Sequence, residues 1–277
     1  MSNSPDNRLT QRLAELRSRG ELALAPYVTA GDGGLERTAA VLRACDQAGA
    51  GCIELGMPFS DPSADGPVLR AAAGRSLARG TRWDDVVGLG PELRSAGGQV
   101  PLCLFTYAGP LFAVGPERAV AQLRDAGFDG LLVPDLPVEE LEPIARLAHA
   151  ANLCLIPFAA PGSGPVRVAA ATELGSGFLY AIPRAGVTGQ ASGLGDGVLR
   201  QLADVRAASR LPIGVGFGIS THSQVAALQG VAELAICGTE FVSRLHAAGP
   251  DPLHAAQAAQ DFLNELRGHV PSPNPTS

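Results

Sequence analysis

Lysine is absent: all 21 basic side chains of the 277-residue chain are arginine. A catalytic Schiff base, and pyridoxal phosphate held through one, need a lysine amine, so both are excluded. Carbon–carbon bond chemistry here must run on acid–base groups or on a metal. Histidine is scarce, with five in all (His149, His222, His246, His254, His269). They fall on helical runs or in the C-terminal tail, which suits surface and capping roles rather than catalysis. Cysteine is also scarce, and its count of five is odd. Cys52, Cys103, Cys154 and Cys237 lie in apolar strand-like runs, so they read as small buried hydrophobes in a reducing compartment. With Cys45 they show no metal-ligand spacing. No run approaches the ~20 apolar residues of a membrane span. The N-terminus lacks the apolar segment of a signal peptide, so a cytoplasmic protein is expected. The net charge of −6 speaks against nucleic acid or an anionic membrane as partner.

What is present is an alternation of apolar and amphipathic runs. Leucines 9, 13 and 16 give residues 7–19 a helical spacing that Gly20 ends. Eight short apolar runs follow, at 22–29, 51–57, 101–107, 130–133, 154–158, 178–182, 212–215 and 234–237. They are nearly continuous in hydrophobicity, as parallel strands covered on both sides are. Amphipathic runs separate them, for example 35–48, 117–126, 139–151, 197–208 and 222–229. Eight βα units in a chain of this length predict a single-domain (β/α)8 TIM barrel over residues 1–268, with an extra N-terminal helix. The competitor is an open doubly wound sheet, but Thr29-Ala30-Gly31-Asp32-Gly33-Gly34 is not the glycine turn of a dinucleotide fold. The Pro/Ser-rich tail 269–277 is expected to be disordered.

The most informative stretch is 50–67. A carboxylate, Glu54, sits inside an apolar strand, where an unpaired charge is costly to bury. The strand breaks at Gly56 into a loop stiffened by Pro58, Pro62 and Pro67 that carries Asp61 and Asp65. Either Glu54 is a structural acid paired with an arginine, or it belongs to a site. In a barrel, active residues gather at the C-terminal ends of the strands. That rule brings Tyr27, Asp32, Glu54, Asp65, Tyr107, Asp135 and Tyr180 to one rim.

Two glycine turns, Gly216-Phe217-Gly218-Ile219-Ser220 and Cys237-Gly238-Thr239, follow the last two strands. There a barrel usually binds phosphate through backbone N–H groups and a helix N-terminus. Alternatively, the glycines only form turns. The long polar connection 183–196 reads as a lid, or as a merely flexible loop.

These stretches carry a family resemblance. Glu54-Leu-Gly-Met-Pro-Phe-Ser-Asp-Pro-Ser-Ala-Asp-Gly-Pro67 closely resembles the signature of the tryptophan synthase alpha chain. So do Pro26-Tyr-Val-Thr-Ala-Gly-Asp32, Gly130-Leu-Leu-Val-Pro-Asp-Leu-Pro-Val-Glu-Glu140, Arg184-Ala-Gly-Val-Thr-Gly189 and Gly216-Phe-Gly-Ile-Ser220. The matches run in the family's order from about residue 8 to residue 267. The resemblance implies a barrel that cleaves indole-3-glycerol phosphate into indole and glyceraldehyde 3-phosphate. It implies no cofactor in this chain, and the residues themselves offer no support for a metal site. It also implies a pyridoxal-phosphate beta chain as partner, in an alpha2beta2 assembly. By the same resemblance Glu54 is the acid–base glutamate, Asp65 binds the indole N–H, and Tyr180 lies at the reacting glycerol end. Gly189, Gly218, Gly238 and Thr239 match the phosphate cradle. Tyr27, Tyr107 and Phe217 line the pocket, and Thr188 is the lid threonine. The chain departs from the family at Asp32-Gly33, Ser63, Tyr107-Ala108-Gly109-Pro110 and Pro183-Arg184, mostly on the lid or the face the family turns to its beta chain.

The chemistry is consistent with two unlike carboxyl groups. A glutamate kept neutral by burial can protonate indole C3, and its conjugate base can take the glycerol hydroxyl proton. An ionised aspartate can stabilise positive charge on the ring. The alternatives are a stand-alone indole-releasing relative and a non-catalytic phosphate-binding regulator of a beta chain. A phosphosugar isomerase would want a lysine or histidine at a strand end, and none is there.

Overall fold

The computed structural model describes residues 5–183, 195–216 and 218–269. Nine parallel strands form one sheet: β1 (Ala23–Thr29), β2 (Ile53–Gly56), β3 (Leu102–Phe105), β4 (Gly130–Leu132), β5 (Cys154–Ile156), β6 (Phe158–Ala159), β7 (Leu179–Ala181), β8 (Ile213–Gly216) and β9 (Leu234–Cys237). Their order is β5-β4-β3-β2-β1-β9-β8-β7-β6. The two ends of that order, β5 and β6, are consecutive in the chain and separated only by Pro157. The sheet is therefore a closed (β/α)8 barrel whose fifth strand is interrupted once. Proline has no N–H to donate to a ladder, which splits the eight expected strands into nine pieces. Its carbonyl still serves: Pro157 O accepts from Tyr180 N at 2.8 Å.

Side chains alternate along each strand. On β1, Ala23, Ala25 and Tyr27 point into the barrel and Leu24 and Val28 face the helical layer. The interior also takes Cys52, Cys103, Phe105, Leu132, Cys154, Ile156, Phe178, Leu234 and Ile236. All five cysteines are buried and free, as expected.

The N-terminal end of the barrel is plugged. The helix Arg8–Ser18 buries Leu9, Leu13 and Leu16 in the interior cluster. Asn7 caps it by accepting from Leu9 N and Thr10 N, and donates its own amide to Asp129 O at 2.9 Å and Asn152 O at 2.8 Å. Asp129 lies beneath the strands, paired with Arg8 at 3.1 Å and Arg94 at 3.0 Å, and accepts from Leu102 N. Among the described residues, the barrel interior opens at the C-terminal ends of its strands.

Candidate active site

At that open end lies a cavity of about 690 Å³. Its described walls include Tyr27, Glu54, Asp65, Tyr180, Gly218 and Thr239, so residues scattered over more than two hundred positions meet in one place.

Glu54 points inward from β2, between Tyr27 of β1 and Cys103 of β3 in the ladder register. It is 1% exposed, and neither carboxyl oxygen has a hydrogen-bond partner. Among the described residues no arginine is paired with it, which speaks against the structural-acid alternative. Desolvation alone pushes its pKa from 4.5 up to about 8. A group in that state is neutral near neutrality and can give up a proton.

Asp65 enters from the loop after β2 and is half-buried. Burial raises its pKa to about 6, while a hydrogen bond from the Tyr107 side chain and the Arg70 charge oppose the rise. The two acids thus titrate about two units apart. This leaves a window in which Glu54 is protonated and Asp65 ionised.

Tyr107 is buried behind the loop rather than forming the cavity wall. Its hydroxyl accepts from Ala64 N at 3.2 Å, so it fixes the segment next to Asp65. Tyr27 and Tyr180 do line the cavity, and burial pushes both phenols well above 10, keeping them neutral. Each ring lies against a glycine at a strand end. A Cβ on Gly56 would collide with the Tyr27 ring, and one on Gly216 with that of Tyr180. Tyr180 also stacks on Phe158, with centroids 4.9 Å apart.

In the same cavity wall, Gly218 and Gly238 leave the backbone bare of Cβ atoms, and the helix Thr239–Ala247 starts there. Gly218 has φ +63°, a left-handed conformation that favours glycine. Backbone N–H groups and a helix N-terminus facing a cavity suit an oxyanion. The neighbouring helix His222–Leu228 is capped by Thr221, whose hydroxyl accepts from Gln224 N at 3.3 Å, while the Gln224 side chain accepts in return from Ser220 N at 2.8 Å and Thr221 N at 3.1 Å. Gly189, Thr188 and Phe217, and most of the expected lid, lie outside the described residues.

Two rim residues expected from the sequence are employed elsewhere. Asp32 makes a two-pronged ion pair with Arg75, at 2.8 and 2.7 Å, away from the cavity. Asp135 accepts from Ala108 N at 2.9 Å, at the start of the helix Ala108–Val114. Conversely, the cavity uses Phe105, Phe158, Leu69 and Ile236, which sequence reasoning did not single out. Strand parity contained a signal for Phe105, two residues beyond inward Cys103, and for Ile236, two beyond inward Leu234. Among the described residues no group of three or more His, Cys, Asp or Glu could hold a metal ion.

Known proteins share this chain's sequence pattern and fold. The family model described as "Tryptophan synthase alpha chain" matches residues 13–270. The tryptophan synthase alpha chain of Synechococcus elongatus is 44% identical over 237 residues, 85% of this chain and 89% of that protein. The solved alpha subunit from Legionella pneumophila superposes with a TM-score of 0.86 at 30% identity, covering 95% of this chain and 98% of that one. A structure from the Pyrococcus furiosus tryptophan synthase alpha2beta2 complex gives 0.83 at 30% identity, covering 89% and 98%. The chain belongs to the tryptophan synthase alpha chain family, lyases that cleave indole-3-glycerol phosphate in tryptophan biosynthesis.

Proposed function

We propose that this chain cleaves indole-3-glycerol phosphate through a division of labour between Glu54 and Asp65, with Tyr180 at the glycerol end. Protonated Glu54 gives its proton to indole C3, and the ring nitrogen becomes positively charged. Ionised Asp65 accepts the indole N–H and stabilises that charge. The Glu54 carboxylate then takes the proton of the hydroxyl on the carbon attached to C3. As that carbon becomes an aldehyde, the carbon–carbon bond breaks and its electron pair returns to the ring. Indole leaves neutral, glyceraldehyde 3-phosphate remains, and Glu54 is protonated again. Gly218, Gly238 and Thr239, together with Gly189, hold the phosphate. Tyr27 and Phe217 pack against the indole, Tyr107 braces the Asp65 loop, and Thr188 meets Asp65 on closure.

The observation that carries this reading is the unpartnered, buried carboxyl of Glu54 facing the same cavity as half-buried Asp65. We further infer that the chain acts in the cytoplasm and hands indole to a beta chain, as the alpha2beta2 complex of the Pyrococcus relative suggests. The test is steady-state indole formation from indole-3-glycerol phosphate, with and without a beta chain. Glu54→Gln is expected to lose roughly 10³-fold or more in kcat, and Asp65→Asn roughly 10²–10³-fold. Wild-type turnover by either variant would refute the assigned roles.

A further inference from the structure

Among the described residues, three side-chain oxygens are buried without a hydrogen-bond partner: both carboxyl oxygens of Glu54 and the hydroxyl of Thr29. For Glu54 the proton-transfer role proposed above gives a reason for the unmet carboxyl. The Thr29 hydroxyl has no such account, and an unmet buried hydroxyl calls for one.

Thr29 ends β1 and continues the inward parity of Ala23, Ala25 and Tyr27. Its ladder partner on β2 is Gly56. Tyr27 starts one inward step lower, opposite Glu54, but its ring runs upward, and its hydroxyl fills the space a Gly56 Cβ would take. The two hydroxyls therefore meet over the bare Cα of Gly56, as neighbours short of full hydrogen-bond geometry. Gly56 leads into the loop that carries Asp65, and Tyr27 and Asp65 line the same cavity.

We propose that Thr29 and Tyr27 are positioning residues for Asp65: Thr29 donates to the Tyr27 oxygen, which turns the phenolic O–H onto the Asp65 carboxylate. The relay keeps Asp65 ionised and aimed at the indole N–H. It rests on the role given to Asp65 above. Gly56 is required because any Cβ there would separate the two hydroxyls. The groups acting with Asp65 are Tyr27 of β1, Tyr107 ahead of the helix Ala108–Val114, Tyr180 of β7 and Arg70 of the helix Pro67–Ala78; Glu54 of β2 also acts on the two cavity tyrosines. Arg70 is the one cation of this set, and the phenols are neutral, so an added O–H donor changes how firmly Asp65 holds its charge.

The experiment is the pH dependence of kcat/KM for indole release by wild type, Thr29→Val, Tyr27→Phe and the double variant, with a melting temperature for each. Losing the donor raises the Asp65 pKa, so the acid limb moves to higher pH by roughly one unit in each single variant. Activity on that limb falls about tenfold, the basic limb stays in place, and Thr29→Ser restores the wild-type profile. The double variant shifts no further than Tyr27→Phe, as members of one relay do. An unmoved acid limb in both single variants overturns the relay, whatever happens to stability, and so do additive shifts. Asp65→Asn separates the two levels. Retained turnover removes the role of Asp65 itself, whereas lost turnover with unmoved limbs in the other variants removes the relay alone.

Discussion

Replacing Glu54 by glutamine should stop turnover and stabilise the fold. In the unfolded chain the carboxyl ionises near 4.5; in the barrel it holds its proton to about 8. Between those values the folded state binds the extra proton, so stability falls as pH rises, by about 1.4 kcal/mol per unit from this group. The penalty is absent below 4.5 and grows to roughly 3 kcal/mol at pH 7. It levels off near roughly 5 kcal/mol above pH 8. Glutamine has nearly the shape of the protonated acid and leaves the same unmet polar atoms, but carries no titratable proton. Glu54→Gln should therefore match wild type at pH 4.5 and gain roughly 3 kcal/mol at pH 7, or roughly 6–12 °C in Tm. Denaturant unfolding of both proteins at pH 4.5, 7 and 8.5, beside an indole assay, measures this. An equal gain at every pH, or none at pH 7 and above, would refute the claim that an unpartnered, desolvated carboxyl lies at the base of the cavity.

Two further outcomes follow from the packing. Gly216→Ala puts a methyl where the Tyr180 ring lies, so it should cost roughly 1–3 kcal/mol of stability and lower kcat/KM more than tenfold because the ring is displaced; denaturant melts and indole kinetics check both. Asp129→Ala leaves Arg94 unpaired beneath the barrel and should lose roughly 3 kcal/mol of stability, while kcat of the folded fraction stays at the wild-type value.

The fold was readable because its signals are local and repeated: apolar strand-length runs, glycine or proline at their ends, amphipathic stretches between. Glu54 stood out because a charge in an apolar strand contradicts its surroundings. Asp65 was legible only through its loop, and Asp32, on an equivalent loop, looked the same. What separates them is Arg75, 43 residues further on, which takes Asp32 into an ion pair. No pattern in the chain announces that partner before the barrel closes. Asp135 misled in the same way, because its acceptor role depends on Ala108 arriving from another βα unit. Phe105 and Phe158 are not legible as site residues because an aromatic in a strand reads as core, and they pack in the core on all but the edge they turn to the cavity. The break at Pro157 was visible in the sequence as a residue but not as an interruption of the ladder.

The most direct measurement is the pH profile of kcat/KM for indole formation from indole-3-glycerol phosphate. Ionised Asp65 and protonated Glu54 predict a bell, lost as pH falls through about 6 and again as it rises through about 8. A rate that stays level or climbs through pH 8 would mean that the buried glutamate is not the proton donor.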